Sequence, residues 1–163
     1  KKRNLIHQFV RSHVDKGRVT KDSISPQNAD ECLDFLEKWC AEYLCYSAPD
    51  DDFMCEKQAV INMIKGIHIF DVDSVVIRID GAIHAFGICS RLNNVTAVLN
   101  FEKADSAIKG LYQYLDRECA ASIYNRYKYV NKESDMGLPG LAHAKHSYHP
   151  VGHVKSYRIN IKK

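Results

Sequence analysis

The spacing of apolar and polar positions divides the chain into a helical first part, a strand-rich middle and a mixed end. Lys2 to Ser12 reads as a helix, with Leu5, Ile6, Phe9 and Val10 on one side of a 3.6-residue period. Gly17 ends that region, and Arg18 to Ile24 is a short strand candidate. Ser25-Pro26 has the chemistry of a helix start, Ser as N-cap and Pro at the first helical position. The predicted helix runs to about Cys45 along a stripe of Ala29, Cys32, Leu33, Leu36, Cys40, Tyr43 and Leu44. Trp39 lies at the stripe's edge and reads as core rather than as a ligand platform. Ala48 to Asp52 reads as a loop whose aspartates cap the next helix, Phe53 to Lys65, with Gly66 as its stop.

The period then falls to two. Val75 to Ile79 alternates around Arg78, Asp80-Gly81 is a two-residue hairpin signal, and Ala82 to Leu92 is the return strand. Asn93-Asn94 marks another turn before a third strand, Val95 to Phe101. Ser106 to Tyr124 reads as a helix buried through Ile108, Leu111, Leu115, Cys119 and Ile123. Tyr127 to Asn131 reads as a strand, and Val151 to Ile161 as a closing one. Periodicity alone gives an α+β class, with helices packed on a mainly antiparallel sheet.

The stretch from Asn131 to Pro150 carries the densest chemistry. Asp135-Met136-Gly137-Leu138-Pro139-Gly140 has turn chemistry, and Leu141 to His146 makes a short helix. The helix start places free N–H groups beside Glu133, Asp135 and Lys145, with Tyr148 following. Two readings stand: a place to hold a polar ligand, and a strand-to-helix connection with solvated charges. His143, His146, His149 and His153 crowd the same region, and His143 and His146 share a helix face. No acidic or cysteine ligand accompanies them at an established spacing, so no metal site is expected.

Composition narrows the class. A chain of 163 residues with 45% hydrophobic and 26% charged residues supports one soluble domain with its own core. A net charge of +3 does not demand nucleic acid, and no DNA partner is expected. The distribution is less even, because Lys1, Lys2, Arg3, Arg11, Lys16, Arg18 and Lys21 face only Asp15 in the first stretch. A solvated helix face and an RNA-facing patch both fit that pattern. No apolar run reaches membrane-spanning length and no signal peptide is evident, so a cytoplasmic protein is expected. Six cysteines without a C-x-x-C pair agree with reduced, buried thiols. A start at Lys1 without Met fits a piece of a longer chain.

The pattern N-x-E-x-D-x-G-x-x-G-L-x-x-A-K-x-S-Y-x-P, residues 131–150, resembles the C-terminal domain of phosphatidylglycerol lysyltransferases. FEKADSAIKGLYQYLDRE at 101–118 and KKRNLIHQF at 1–9 agree with it. The resemblance implies a GNAT-like (acyl-CoA N-acyltransferase-like) α+β fold, with a mainly antiparallel central sheet flanked by helices. Two such halves are usual, so residues 1–163 are expected to be the second, a single domain beginning with a linker helix at 1–17. The N-terminal half of the same protein is then its partner. In this layout strands 95–101 and 127–131 splay apart and the acyl donor lies between them. One departure is Ala142, where the family commonly has arginine.

The resemblance implies aminoacyl-tRNA as donor, with no resident cofactor, and aminoacyl transfer to an amine or hydroxyl. Glu102, Glu133 and Lys145 are the expected catalytic residues. Glu133 or Asp135 would meet the donor's α-ammonium, Lys145 a phosphate or oxyanion, and Glu102 would recognise the donor or act as base. Lys103, Asp105, Asn131, Asp135, Gly137, Gly140 and Tyr148 are the expected substrate-binding residues. Acetyl-coenzyme A is the alternative donor, and a Gly-rich loop after the first splayed strand would cradle its pyrophosphate. Here that loop begins Glu102-Lys103-Ala104-Asp105-Ser106, with no glycine before Gly110 and with two carboxylates. Asp105 or Ser106 also has a use as helix N-cap. A non-catalytic module that binds an amino acid, peptide or partner is the third reading.

Overall fold

The computed structural model describes residues 2–44, 51–155, 157 and 159. The chain forms two compact units, residues 1–131 and 132–163, taken here in turn. In the first, α1 (Lys2–Phe9) continues into a π-helical turn, Val10–Val14. There follow β1 (Val19–Asp22), α2 (Ala29–Leu44), α3 (Asp51–Lys65), β2 (Val72–Ile79), β3 (Ala82–Arg91), β4 (Thr96–Ala104), α4 (Leu111–Ile123) and β5 (Tyr129–Asn131). These strands form one five-stranded sheet in the order β1-β2-β3-β4-β5. The first three junctions are antiparallel and β4–β5 is parallel. The α+β class with a mainly antiparallel sheet is what the sequence predicts. The second unit holds α5 (Pro139–His146).

The alternation of β2 sends side chains into two cores. Val75, Ile77 and Ile79 pack with Phe9, Leu111 and Leu115, beneath α1 and α4. Val76 joins Phe86 and Ile88 of β3 against Cys32, Leu36, Val60 and Ile64 of α2 and α3. Coverage of both faces explains the continuous buried run Ala85-Phe86-Gly87-Ile88-Cys89 in β3. At Gly87 an added Cβ would lie 2.4 Å from Cys119 Sγ, which fixes how closely α4 approaches the sheet. Gly110 precedes α4 at φ 85°, and an added Cβ there would lie 2.3 Å from the Leu5 carbonyl oxygen.

Most expected elements form, with boundary shifts that have physical causes. Asp80 and Gly81 both adopt positive φ (51° and 88°), the geometry of the expected hairpin turn, and Arg18 pairs with the Asp80 carboxylate. The helix expected from Ser25-Pro26 begins instead at Ala29. Asn28 takes over the turn, accepting from the Ser25 N–H at 2.9 Å and donating to the Ser23 carbonyl at 2.9 Å. The helix expected from Ser106 begins at Leu111, because positive φ at Gly110 breaks the helical path. Asp51 and Asp52 belong to α3 rather than to a loop. Cys45 and residues 46–50 lie outside the described residues. Val151 to Lys155 have no strand assignment, and most of the rest of the expected closing strand lies outside the described residues.

Candidate functional site

The β4–β5 junction is short. Thr96 pairs with Tyr129, Ala97 with Val130 and Val98 with Asn131, and there the pairing stops. β4 continues from Leu99 to Ala104 with no β5 residue paired to it, because β5 ends at Asn131. On its other side β4 pairs with β3, and the register shifts: Ile88 faces Phe101 while Cys89 faces Leu99. Asn100 is therefore the extra residue of a β-bulge, a feature that bends a strand and re-aims its side chains. Its Oδ1 is buried.

Glu102 follows the bulge, opposite Gly87 of β3. The side chain is half-buried and its Oε1 is buried. Its charge is felt nearby. Burial is the main reason the Tyr112 phenol is pushed up, and the charges of Glu102 and Glu56 add to that. Lys103 points to the α2–α3 side and is 5% exposed. Its Nζ lies 2.9 Å from Glu56 Oε1 and 4.1 Å from the centre of the Trp39 ring. Trp39 Nε1 in turn donates to the Ala104 carbonyl at 3.1 Å and to the Tyr112 hydroxyl at 3.0 Å. Trp39 is thus a core residue that also stacks a cation.

Asp105 organises the turn between β4 and α4. Its N–H donates to the His84 carbonyl at 2.9 Å, and its Oδ1 accepts from the Ala107 N–H at 2.9 Å. Its Oδ2 lies 3.2 Å from His84 Nδ1. The Ile108 N–H donates to the Asp105 carbonyl and the Leu111 N–H to that of Ile108. Asp105 therefore caps this turn, and Gly110 stands at the N-cap position of α4. Asn131 ends β5 opposite Val98.

In the second unit the expected residues gather around one loop. Glu133 is exposed and at φ 56°. The Asp135 Oδ1 accepts from the Gly137 N–H at 3.0 Å, and Ser134 Oγ from the Met136 N–H at 3.0 Å. Gly137, at φ 70° with open space around it, makes the turn that the sequence predicts. Pro139 opens α5, and Gly140 follows with open space beside it. Lys145 reaches back from α5, its Nζ donating to the carbonyls of Lys132 and Ser134, the latter at 2.5 Å. The Lys132 ammonium lies 4.8 Å from the centre of the Tyr148 ring.

The structure keeps Glu133, Asp135, Lys145 and Tyr148 within the second unit, whereas Glu102 and Lys103, expected in the loop after a strand ending at Phe101, belong to β4. Sequence reasoning missed Asn100, although a polar residue between Leu99 and Phe101 already interrupts the alternation of that strand. It also missed Glu56 and Tyr112, which no local pattern connects to Lys103 and Trp39.

The family described as phosphatidylglycerol lysyltransferase, C-terminal, matches residues 1–160. A conserved protein of unknown function from Bacteroides thetaiotaomicron VPI-5482 is similar, with 32% identity and a TM-score of 0.83. The match covers 93% of this chain and 49% of that one, so the chain spans about half the length of that relative. A ribosomal-protein-alanine N-acetyltransferase from Brucella melitensis biovar Abortus 2308 shares the fold, at 13% identity and a TM-score of 0.58 over 88% of this chain and 99% of that one. So does a possible acetyltransferase from Clostridium difficile 630, at 10% identity and a TM-score of 0.63, over 89% and 99%. No curated protein matches. Among the described residues no helix is long and apolar enough to cross a membrane. With a GNAT-like fold and a family match along nearly its whole length, the chain belongs to the phosphatidylglycerol lysyltransferase C-terminal family.

Proposed function

We propose that this chain is part of an aminoacyltransferase that moves an amino acid from aminoacyl-tRNA to an amine or hydroxyl acceptor. The observation that favours this donor over coenzyme A is the state of the turn after β4. Coenzyme A recognition at such a turn needs free backbone N–H groups facing a pyrophosphate. Here the Ala107 N–H is taken by the Asp105 carboxylate, and those of Ile108 and Leu111 by turn carbonyls.

An aminoacyl ester is already activated, so the chain's own residues need only orient groups and move a proton. The acceptor's nitrogen or oxygen attacks the ester carbonyl, the new amide or ester bond forms, and the bond to the terminal ribose oxygen breaks. The proton leaves the acceptor for the Glu102 carboxylate and passes on to the departing ribose oxygen. In the second unit, Glu133 and Asp135 supply negative charge suited to an α-ammonium. Lys145, anchored on the Lys132 and Ser134 carbonyls, holds positive charge suited to an oxyanion or phosphate.

The test is Glu102→Gln in the full-length parent protein, which keeps shape and removes the base. Transfer from aminoacyl-tRNA should fall by about a hundredfold or more while the melting temperature stays nearly unchanged. A folded variant with full transfer activity excludes Glu102 from the reaction.

A further inference from the structure

A cavity of about 490 Å³ lies in the first unit, between the end of α1 with its π-helical turn and the turn that precedes α4. One wall carries Gln8, Arg11, Ser12 and His13; the other carries Ala107, Ile108 and Lys109. Gln8, Arg11 and Ser12 follow an i, i+3, i+4 spacing, which sets three polar side chains on one side of a helical path.

The lining contains two cations and no carboxylate. Two carboxylates of the adjoining turns are already committed, Asp80 to Arg18, and Asp105 to the Ala107 N–H and His84. Many basic residues of this chain are spoken for, as Arg18, Lys21, Arg78, Lys103 and Arg126 all have acidic partners. Arg11 and Lys109 differ, since among the described residues neither has an ion-pair partner, yet both line this cavity. His13 adds a buried Nδ1 with no hydrogen-bond partner, held in place by stacking on Phe9 at 5.0 Å between ring centres. A buried ring nitrogen without a protein partner is uncommon in folded proteins. The π-helical turn that presents Arg11, Ser12 and His13 is itself a rare form that recurs at functional sites.

We propose that this cavity is a phosphate-binding subsite, with Arg11 and Lys109 as its cations and Gln8 and Ser12 as neutral donors. A guanidinium fork and an ammonium lining one cavity suit a tetrahedral dianion or a phosphodiester. The site works through side chains, and so it does not need the backbone N–H groups that Asp105 has closed. Resting on the aminoacyl-tRNA reading, the phosphate it takes is one from the donor's RNA backbone. The same chemistry would hold the phosphates of coenzyme A, and the experiment separates the two.

Binding of inorganic pyrophosphate, deacylated tRNA and coenzyme A to the full chain is measured at fixed salt for wild type, Arg11→Ala, Lys109→Ala and Lys38→Ala. Lys38 is an exposed lysine of α2, so its variant has the same charge change away from the cavity. Pyrophosphate and tRNA should compete, and Arg11→Ala and Lys109→Ala should each weaken both by about tenfold. Lys38→Ala should leave pyrophosphate within about twofold. If coenzyme A shows this sensitivity and tRNA does not bind, the phosphate subsite stands and the RNA donor reading falls. If none of the three binds, or if Arg11→Ala and Lys109→Ala behave like Lys38→Ala, the subsite is wrong.

Discussion

Gly110→Ala is the substitution on which the packing of α1 bears most directly. The residue sits at φ 85°, where an L side chain is strained by about 1–2 kcal/mol. That cost alone is shared with Gly17, at φ 68° with nothing within 4 Å of a built Cβ. At Gly110 the added carbon also meets the Leu5 carbonyl oxygen at 2.3 Å and Phe9 Cβ at 3.2 Å. Neither can swing aside, since one is backbone and the other belongs to a fully buried side chain. Overpacking of this kind costs about 1–3 kcal/mol, giving a total of about 2–5 kcal/mol for Gly110→Ala against about 1–2 kcal/mol for Gly17→Ala. For a domain of this size that is a fall in melting temperature of about 5–15 °C against about 4 °C, read from paired thermal melts and urea titrations. The displaced α1 also carries one wall of the cationic cavity, so pyrophosphate binding should weaken in the same variant. Equal melting temperatures for the two variants, within about 2 °C, would refute the close contact between α1 and the start of α4.

Two further outcomes follow from buried charge. Glu56→Gln leaves the Lys103 ammonium buried over Trp39 with only a neutral partner; because Glu56 is about one-third exposed (36%), the expected cost is about 1–2 kcal/mol rather than the full penalty of a stranded charge. Lys103→Met, which removes the charge itself, should cost less, and a urea midpoint lower for Lys103→Met than for Glu56→Gln would contradict this. At Glu118, burial pushes the carboxyl up, but hydrogen bonds from Lys21 and Arg117 outweigh it and hold the group below its ordinary value of 4.5. A carboxyl lowered on folding stabilises above the unfolded value, and that stability is lost as pH falls through the folded one. Glu118→Gln should therefore be less stable than wild type by about 1 kcal/mol at pH 7, with the gap closing below about pH 4.5. A gap that stays constant down to pH 3 would contradict the assignment.

The parts of this fold legible in the sequence are those set by local rules. Asp80-Gly81 had to be a tight hairpin because both positions tolerate positive φ, and Cys32, Leu36 and Cys40 had to face inward at helical spacing. Gly137 and Pro139 likewise announced a turn followed by a helix. Other features depended on partners far along the chain. Lys103 read as a ligand cation, yet Glu56 on α3 and Trp39 on α2 meet it only once the sheet is covered. Asn28 displaced Ser25-Pro26 as the start of α2 because its side chain closes two hydrogen bonds at once. Glu102 read as the start of a loop, yet β4 runs on to Ala104, because the bulge at Asn100 carries the pairing with β3 past Phe101 through a register shift that no single strand records. Arg11 and Lys109 were visible as basic residues; only the fold brings them to one cavity.

The most direct test of the account is deacylation of a mixed aminoacyl-tRNA pool by the full-length parent protein, with and without cell extract as the source of acceptor. The expected result is extract-dependent loss of one amino acid from its tRNA, which would also identify the donor. If no amino acid is lost under either condition while acetyl-coenzyme A binds, the aminoacyl-transfer reading is contradicted and the chain is part of a coenzyme A-dependent acyltransferase instead.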